Sequence, residues 1–135
     1  MPWQPAGIVH PDAELTFSTI IRAGLAARGE SYAVGVHVAN TVPNPRYDRM
    51  VVVRRDGGQQ SGLFDRPRLG IQVWGRTEQE ATDLARLVTA ILMGCPTGAP
   101  VLTMTHQSGP SPVPDESGQP KRYLVVEAMI RGSHL

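Results

Sequence analysis

Residues 77–94 constrain the fold more than any other stretch. Thr77-Glu78-Gln79-Glu80 has the form of a capping box, in which Thr77 accepts from the Glu80 N–H and Glu80 reaches back. Behind it Ala81, Leu84, Ala85, Val88, Ile91 and Leu92 recur at i, i+3 and i+4, a single apolar stripe along one helix. Gly94 and Pro96 then close the pattern. A helix with one apolar stripe must lay it on another surface, and the rest of the chain offers strands for that purpose.

A second helix is predicted from Pro11-Asp12-Ala13-Glu14, with proline at the first helical position and two acids near the positive end of the dipole. Phe17, Ile20, Ile21 and Leu25 give its apolar face, and Gly29 its stop. Tyr32, Val34, Val36 and Val38 alternate as one face of a strand, broken by Thr41-Val42-Pro43-Asn44-Pro45. Met50-Val51-Val52-Val53 reads as a strand ended by Asp56-Gly57-Gly58. Leu69, Ile71 and Val73 alternate in another, and residues 101–105 give a short one. Residues 106–121 read as a long loop of Ser, Pro, Gly and Asp, with Val113 as its one aliphatic side chain. Leu124, Val126, Ala128 and Ile130 mark a last strand that can be buried on both faces. The order is α-β-β-β-α-β-β. It predicts an α+β fold, a mostly antiparallel sheet with two helices packed on one face.

Length and composition agree with one domain spanning 1–135, with residues 1–8 as an N-terminal arm. Pro and Gly make up 26 of the 135 residues, and that excess belongs in turns and loops. No apolar run approaches ~18 residues, which excludes an ordinary membrane-spanning helix. The segment MPWQPAGIVHPD has neither the basic nor the apolar region of a secretory signal. The expectation is a soluble, cytoplasmic domain. A lone cysteine, Cys95, excludes an internal disulfide framework and reads as a small buried apolar residue.

The chemistry inventory points away from catalysis. His10, His37, His106 and His134 are far apart in sequence and form no helical i, i+4 pair, so no metal site is expected. There is no G-x-S-x-G, Walker loop or G-x-G-x-x-G. Glu78 and Glu80 stand at i, i+2 and do not face each other. Trp74 is expected to pack under a helix. No catalytic residue and no cofactor are assigned.

Charge placement says more than its sum. Twelve of the 13 bases are Arg. Residues 46–76 hold seven Arg and three Asp, a local +4, and since the whole chain is +1 the remainder is −3. An overall +1 argues against a protein that binds nucleic acid with its whole surface. Arg pairs bidentately with carboxylates and suits interfaces, although such a run can also be a solvated face. Arg46, Arg66 and Arg68 are the candidate interface residues, because they flank turns where side chains project past the sheet.

The motifs also form an ordered set along the chain. Pro11-Asp12 opens the first helix, followed by Val42-Pro43-Asn44-Pro45-Arg46 and Val51-Val52-Val53 with Gly57-Gly58. Then come Asp65-Arg66-Pro67-Arg68-Leu69, Gln72-Val73-Trp74-Gly75, Thr77-Glu78-x-Glu80-Ala81, Asp115, Gln119-Pro120 and Arg122-Tyr123. Over residues 8–132 this ordered set resembles the tail terminator proteins of long-tailed bacteriophages. The resemblance implies a structural virion protein without an active site, in the tail or neck of the particle and assembled in the host cytoplasm. It implies a ring, a hexamer, that caps the tail tube, stops its polymerisation and offers the head-joining surface. The implied partners are further copies of itself, the major tail tube protein and the head–tail connector protein. DNA would pass through the lumen without specific binding, and no membrane is involved. The alternatives are another neck or tail component (a head-completion or tube protein), a small Arg-dependent nucleic-acid-binding regulator, or a small enzyme whose catalytic residues are scattered in sequence.

Overall fold

The computed structural model describes residues 7–95 and 100–134. Helix α1 is Ala13–Arg28 and helix α2 is Glu78–Met93. The strands are β1 (Ile8–Val9), β2 (His37–Ala39), β3 (Met50–Ser61), β4 (Phe64–Trp74), β5 (Val101–Pro112), β6 (Lys121–Arg131) and β7 (Ser133–His134). Five of them form a sheet in the order β2-β3-β4-β6-β5, antiparallel except for the β2–β3 pair. The short β1 and β7 pair with each other. The main elements follow the predicted α-β-β-β-α-β-β order.

The strand pleat decides which side chains meet the helices. Val51 and Val53 of β3, Leu69, Ile71 and Val73 of β4, and Leu124, Val126, Ala128 and Ile130 of β6 share one face. Phe17, Ile21 and Leu25 of α1 and Leu84, Val88 and Leu92 of α2 close over them, all buried. Burial of each such side chain contributes about 1.5–3 kcal/mol. The helices approach each other closely at Gly24, where a Cβ would lie 2.6 Å from Ile91 Cγ2. Among the described residues no helix is long and apolar enough to cross a membrane.

The caps explain where the helices begin. Thr77 accepts from the Glu80 N–H at 3.1 Å, while Glu80 turns its carboxylate to Arg49 at 2.6 Å. For α1 the cap is Asp12, whose Oδ1 accepts from the Leu15 N–H at 3.1 Å, so Pro11 lies before the cap rather than at the first helical position. Thr77→Ala is expected to cost about 1 kcal/mol in urea unfolding, with no change of fold. An unchanged midpoint would show that packing alone sets the start of α2.

Three expectations are corrected. The alternation from Tyr32 to Val38 is not one strand: a 3-10 turn at Ser31–Ala33 and Gly35 at φ +70° interrupt it, leaving β2 only three residues. Tyr32, Val36 and Val38 still face the core, which is why the pattern looked continuous, while Val34 is exposed. Asp56-Gly57-Gly58 does not end β3. The strand runs on to Ser61 through a bulge between Arg55 and Gly57, and the turn comes at residues 62–63. The segment 106–121 is not all loop. β5 continues to Pro112 and pairs with β6, leaving residues 113–120 as the connection. Its prolines are tolerated because β5 is an edge strand, and three register shifts absorb the irregular residues. Of the proposed N-terminal arm, residues 1–6 lie outside the described residues, and Ile8 already belongs to β1.

Candidate assembly interface

The seven arginines of residues 46–76 divide by what their guanidinium groups touch. Arg49 pairs with Glu80 at 2.6 Å and donates to the Val34 carbonyl at 2.9 Å. Arg55 grips Asp65 with both terminal nitrogens, at 2.6 and 2.7 Å. Arg76 lies 3.8 Å from Asp48, and both are exposed. Arg46 donates to Gln119 Oε1 at 2.7 Å and Asp115 Oδ2 at 2.9 Å. Arg54, Arg66 and Arg68 are exposed and have no ion pair among the described residues. Among the described residues the guanidinium groups of Arg66 and Arg68 are thus unpaired, whereas Arg46 is held within its own chain.

Arg46 belongs to a clasp on the sheet face away from the helices. Its guanidinium carbon lies 5.6 Å from the Trp74 ring centroid, and Lys121 Nζ lies 5.0 Å from it. Two cations over one indole gain from the negative ring face. Beneath them Trp74 packs with Met50 and Val52, so it is buried against the sheet rather than under a helix as expected. Gln119 Nε2 donates to the Tyr47 carbonyl at 3.1 Å and ties residue 47 to the β5–β6 connection. Burial raises the Asp115 carboxyl. Hydrogen bonds from Ser117 and the charges of Arg46 and Lys121 outweigh this and hold it below the ordinary carboxylate range.

The three free arginines share one neighbourhood. Arg54 stands opposite Gly70, Arg66 opposite Gln59 and Arg68 opposite both Gly57 and Glu127. By the pleat of β4, Phe64, Arg66 and Arg68 project from the face away from the helices, and Arg54 joins them from β3. The floor of this face is closed at Gly70, where a Cβ would lie 2.0 Å from Asp56 Oδ2 and 2.5 Å from the Tyr123 hydroxyl. Tyr123 donates to Asp56 at 2.7 Å across that gap; burial, then the Asp56 carboxylate, push the phenol up. Arg54 was missed in the sequence, yet the alternation offered a signal: with Val51, Val53 and Arg55 facing inward, Arg54 must face out.

The arrangement is chemically suited to recognition. Guanidinium forks on a rigid sheet can take carboxylates bidentately. Among the described residues no group of three or more His, Cys, Asp or Glu is placed to hold a metal ion. Cys95 is buried, and that burial pushes its thiol up, the opposite of what a nucleophile needs.

No protein-family model and no curated protein matches the chain. Solved structures do. A chain from the virion of a native gene transfer agent particle superposes with a TM-score of 0.65 at 18% identity, over 90% of this chain and 100% of that one. The bacteriophage SPP1 gp17 protein aligns over 88% of this chain and 90% of its own, at 17% identity and a TM-score of 0.47. At such identity the first likeness establishes a shared fold.

Proposed function

We propose that this chain is a structural virion protein, a tail terminator that forms a ring on the tail tube, stops its growth and presents the surface to which the head joins. The observation that carries the reading is the fold match over the whole of a chain from the virion of a gene transfer agent. The ordered motifs of residues 8–132 support it independently, because they resemble tail terminators. The free arginines fit the same role. A ring is built from repeated heterologous contacts, each needing two different complementary patches on one subunit, and closure ends growth. The function needs positioned surfaces and no reacting group.

Light scattering behind size exclusion should give a mass several times 14.6 kDa, or a monomer that assembles on tube ends. Electron microscopy of tail tubes grown with the protein should show capped tubes of uniform length. A strict monomer that ignores tubes overturns the reading. Incorporation along the tube instead of at its end would assign the chain to the tube itself.

A further inference from the structure

The strand registers place two unlike surfaces at opposite ends of the molecule. At one end the β3–β4 hairpin turns between Ser61 and Phe64, and its residues 56–62 are exposed throughout. Phe64 is 38% exposed there, with Arg66 two residues behind it on the same face. At the other end Trp74 pairs with Lys121, and the β5–β6 connection meets the start of α2. Between them lies a cleft of about 490 Å³ walled by Pro112, Val113, Pro114 and Pro120, with Glu78 at its mouth. The Glu78 side chain is 72% exposed although it touches Arg122 at 2.8 Å. Glu116, on the connection that forms one wall, is exposed and has no ion pair among the described residues.

We infer that the hairpin tip of one copy, with Phe64 and Arg66, docks into the proline-walled cleft of a second copy, opposite Glu78 and Glu116. An aromatic ring suits a cleft lined by proline and valine, and a guanidinium suits carboxylates that are still open to solvent. The two surfaces cannot meet within one chain. They are separated by the length of β4, and eleven strand residues span roughly 30 Å or more. They also differ from each other, so the contact is heterologous and repeats from copy to copy, closing a ring or running on as a filament. Lys121 and Arg122 also line the cleft, but Asp115 and Glu78 already face them; Glu116 does not line it, yet it follows Asp115 directly on the connection and adds an exposed charge without an ion pair among the described residues. This rests on the ring reading above and specifies which surfaces would build it.

The test uses the full chain and three charge variants, Arg66→Glu, Glu116→Arg and the two combined, together with Phe64→Ser. All the altered side chains are exposed, so each variant should melt within a few degrees of the wild type. Each of the three single substitutions is expected to weaken self-association at least tenfold by light scattering. The Arg66→Glu/Glu116→Arg chain should regain the wild-type mass, because each reversed charge meets the other on the next copy. Added salt should weaken wild-type association in the same measurement. Wild-type association by Arg66→Glu and Glu116→Arg overturns the inference, as does a double variant no better than either single one. A wild-type chain that stays monomeric at every concentration, on tubes as well as free, overturns both this contact and the ring. If copies assemble and cap tubes with every variant unaffected, the terminator reading stands and only this contact falls.

Discussion

Arg55→Met should destabilise the protein by about 3–5 kcal/mol in urea unfolding at neutral pH, the cost of stranding a buried charge. Asp65 has no exposed surface, and among the described residues Arg55 is its one ion-pair partner. Gln60 Nε2 also donates to it, from 3.5 Å away. Arg55 also donates to the Gly57 carbonyl at 3.0 Å, so it secures the bulge as well as the carboxylate. Replacing both members by apolar residues should recover much of the loss, since the pair itself carries a large desolvation cost. A loss below about 1 kcal/mol for Arg55→Met would mean that water reaches Asp65.

The same pair fixes a pH dependence whose sign can be worked out. Burial raises the Asp65 carboxyl, but the hydrogen bonds and charge of Arg55 outweigh it and hold the group below the ordinary carboxylate range. A depressed native pKa stabilises the fold above the unfolded value, and that contribution disappears as pH falls through the native one. In Arg55→Met the two largest lowering influences are gone and burial is opposed only by Gln60 and His10, so the native pKa rises and less of this contribution is left to lose. The gap between wild type and variant should therefore narrow as pH falls through the ordinary carboxylate range.

The sequence revealed those features whose cause is local. The stripe from Ala81 to Leu92 and the Thr77 cap need only helical geometry, and α2 appears where they place it. The inward residues of β3, β4 and β6 need only the pleat. The missing features depend on partners remote in sequence. Nothing near residues 57–58 tells whether a glycine pair turns the chain or bulges within a strand; β4 decides, by pairing on past it as far as Phe64. Residues 106–112 look unstructured by composition, yet β6 gives them a ladder. The candidate site divides in the same way. Whether an arginine is free depends on whether an acid 10 residues away, as for Arg55, or 69 away, as for Arg46, folds against it. Arg66 and Arg68 were legible as projecting residues, whereas the capture of Arg46 by Asp115 and Gln119 was not.

Gly58→Ala should be the most damaging single methyl in the hairpin, costing about 3 kcal/mol or more or forcing a new register. Gly58 sits at φ +96°, a conformation that an alanine adopts only under strain. Its Cβ would lie 1.9 Å from the Arg66 carbonyl oxygen and 2.9 Å from both the Arg66 carbonyl carbon and the Arg68 nitrogen. These are backbone atoms of the paired strand, so no rotamer change can make room. Gly62 is the natural control, because it has φ +58° but nothing within 4 Å of the added carbon. Gly62→Ala should therefore cost only the left-handed conformation, about 1–2 kcal/mol. Urea unfolding separates the two costs, and light scattering reads their effect on association. If the hairpin positions Arg66 for a second copy, Gly58→Ala loses assembly at temperatures where the remaining fold survives, and Gly62→Ala keeps it. Equal costs for the two alanines would show that β3 and β4 slide apart freely at the bulge. The hairpin would then be too compliant to hold Phe64 and Arg66 at a fixed contact.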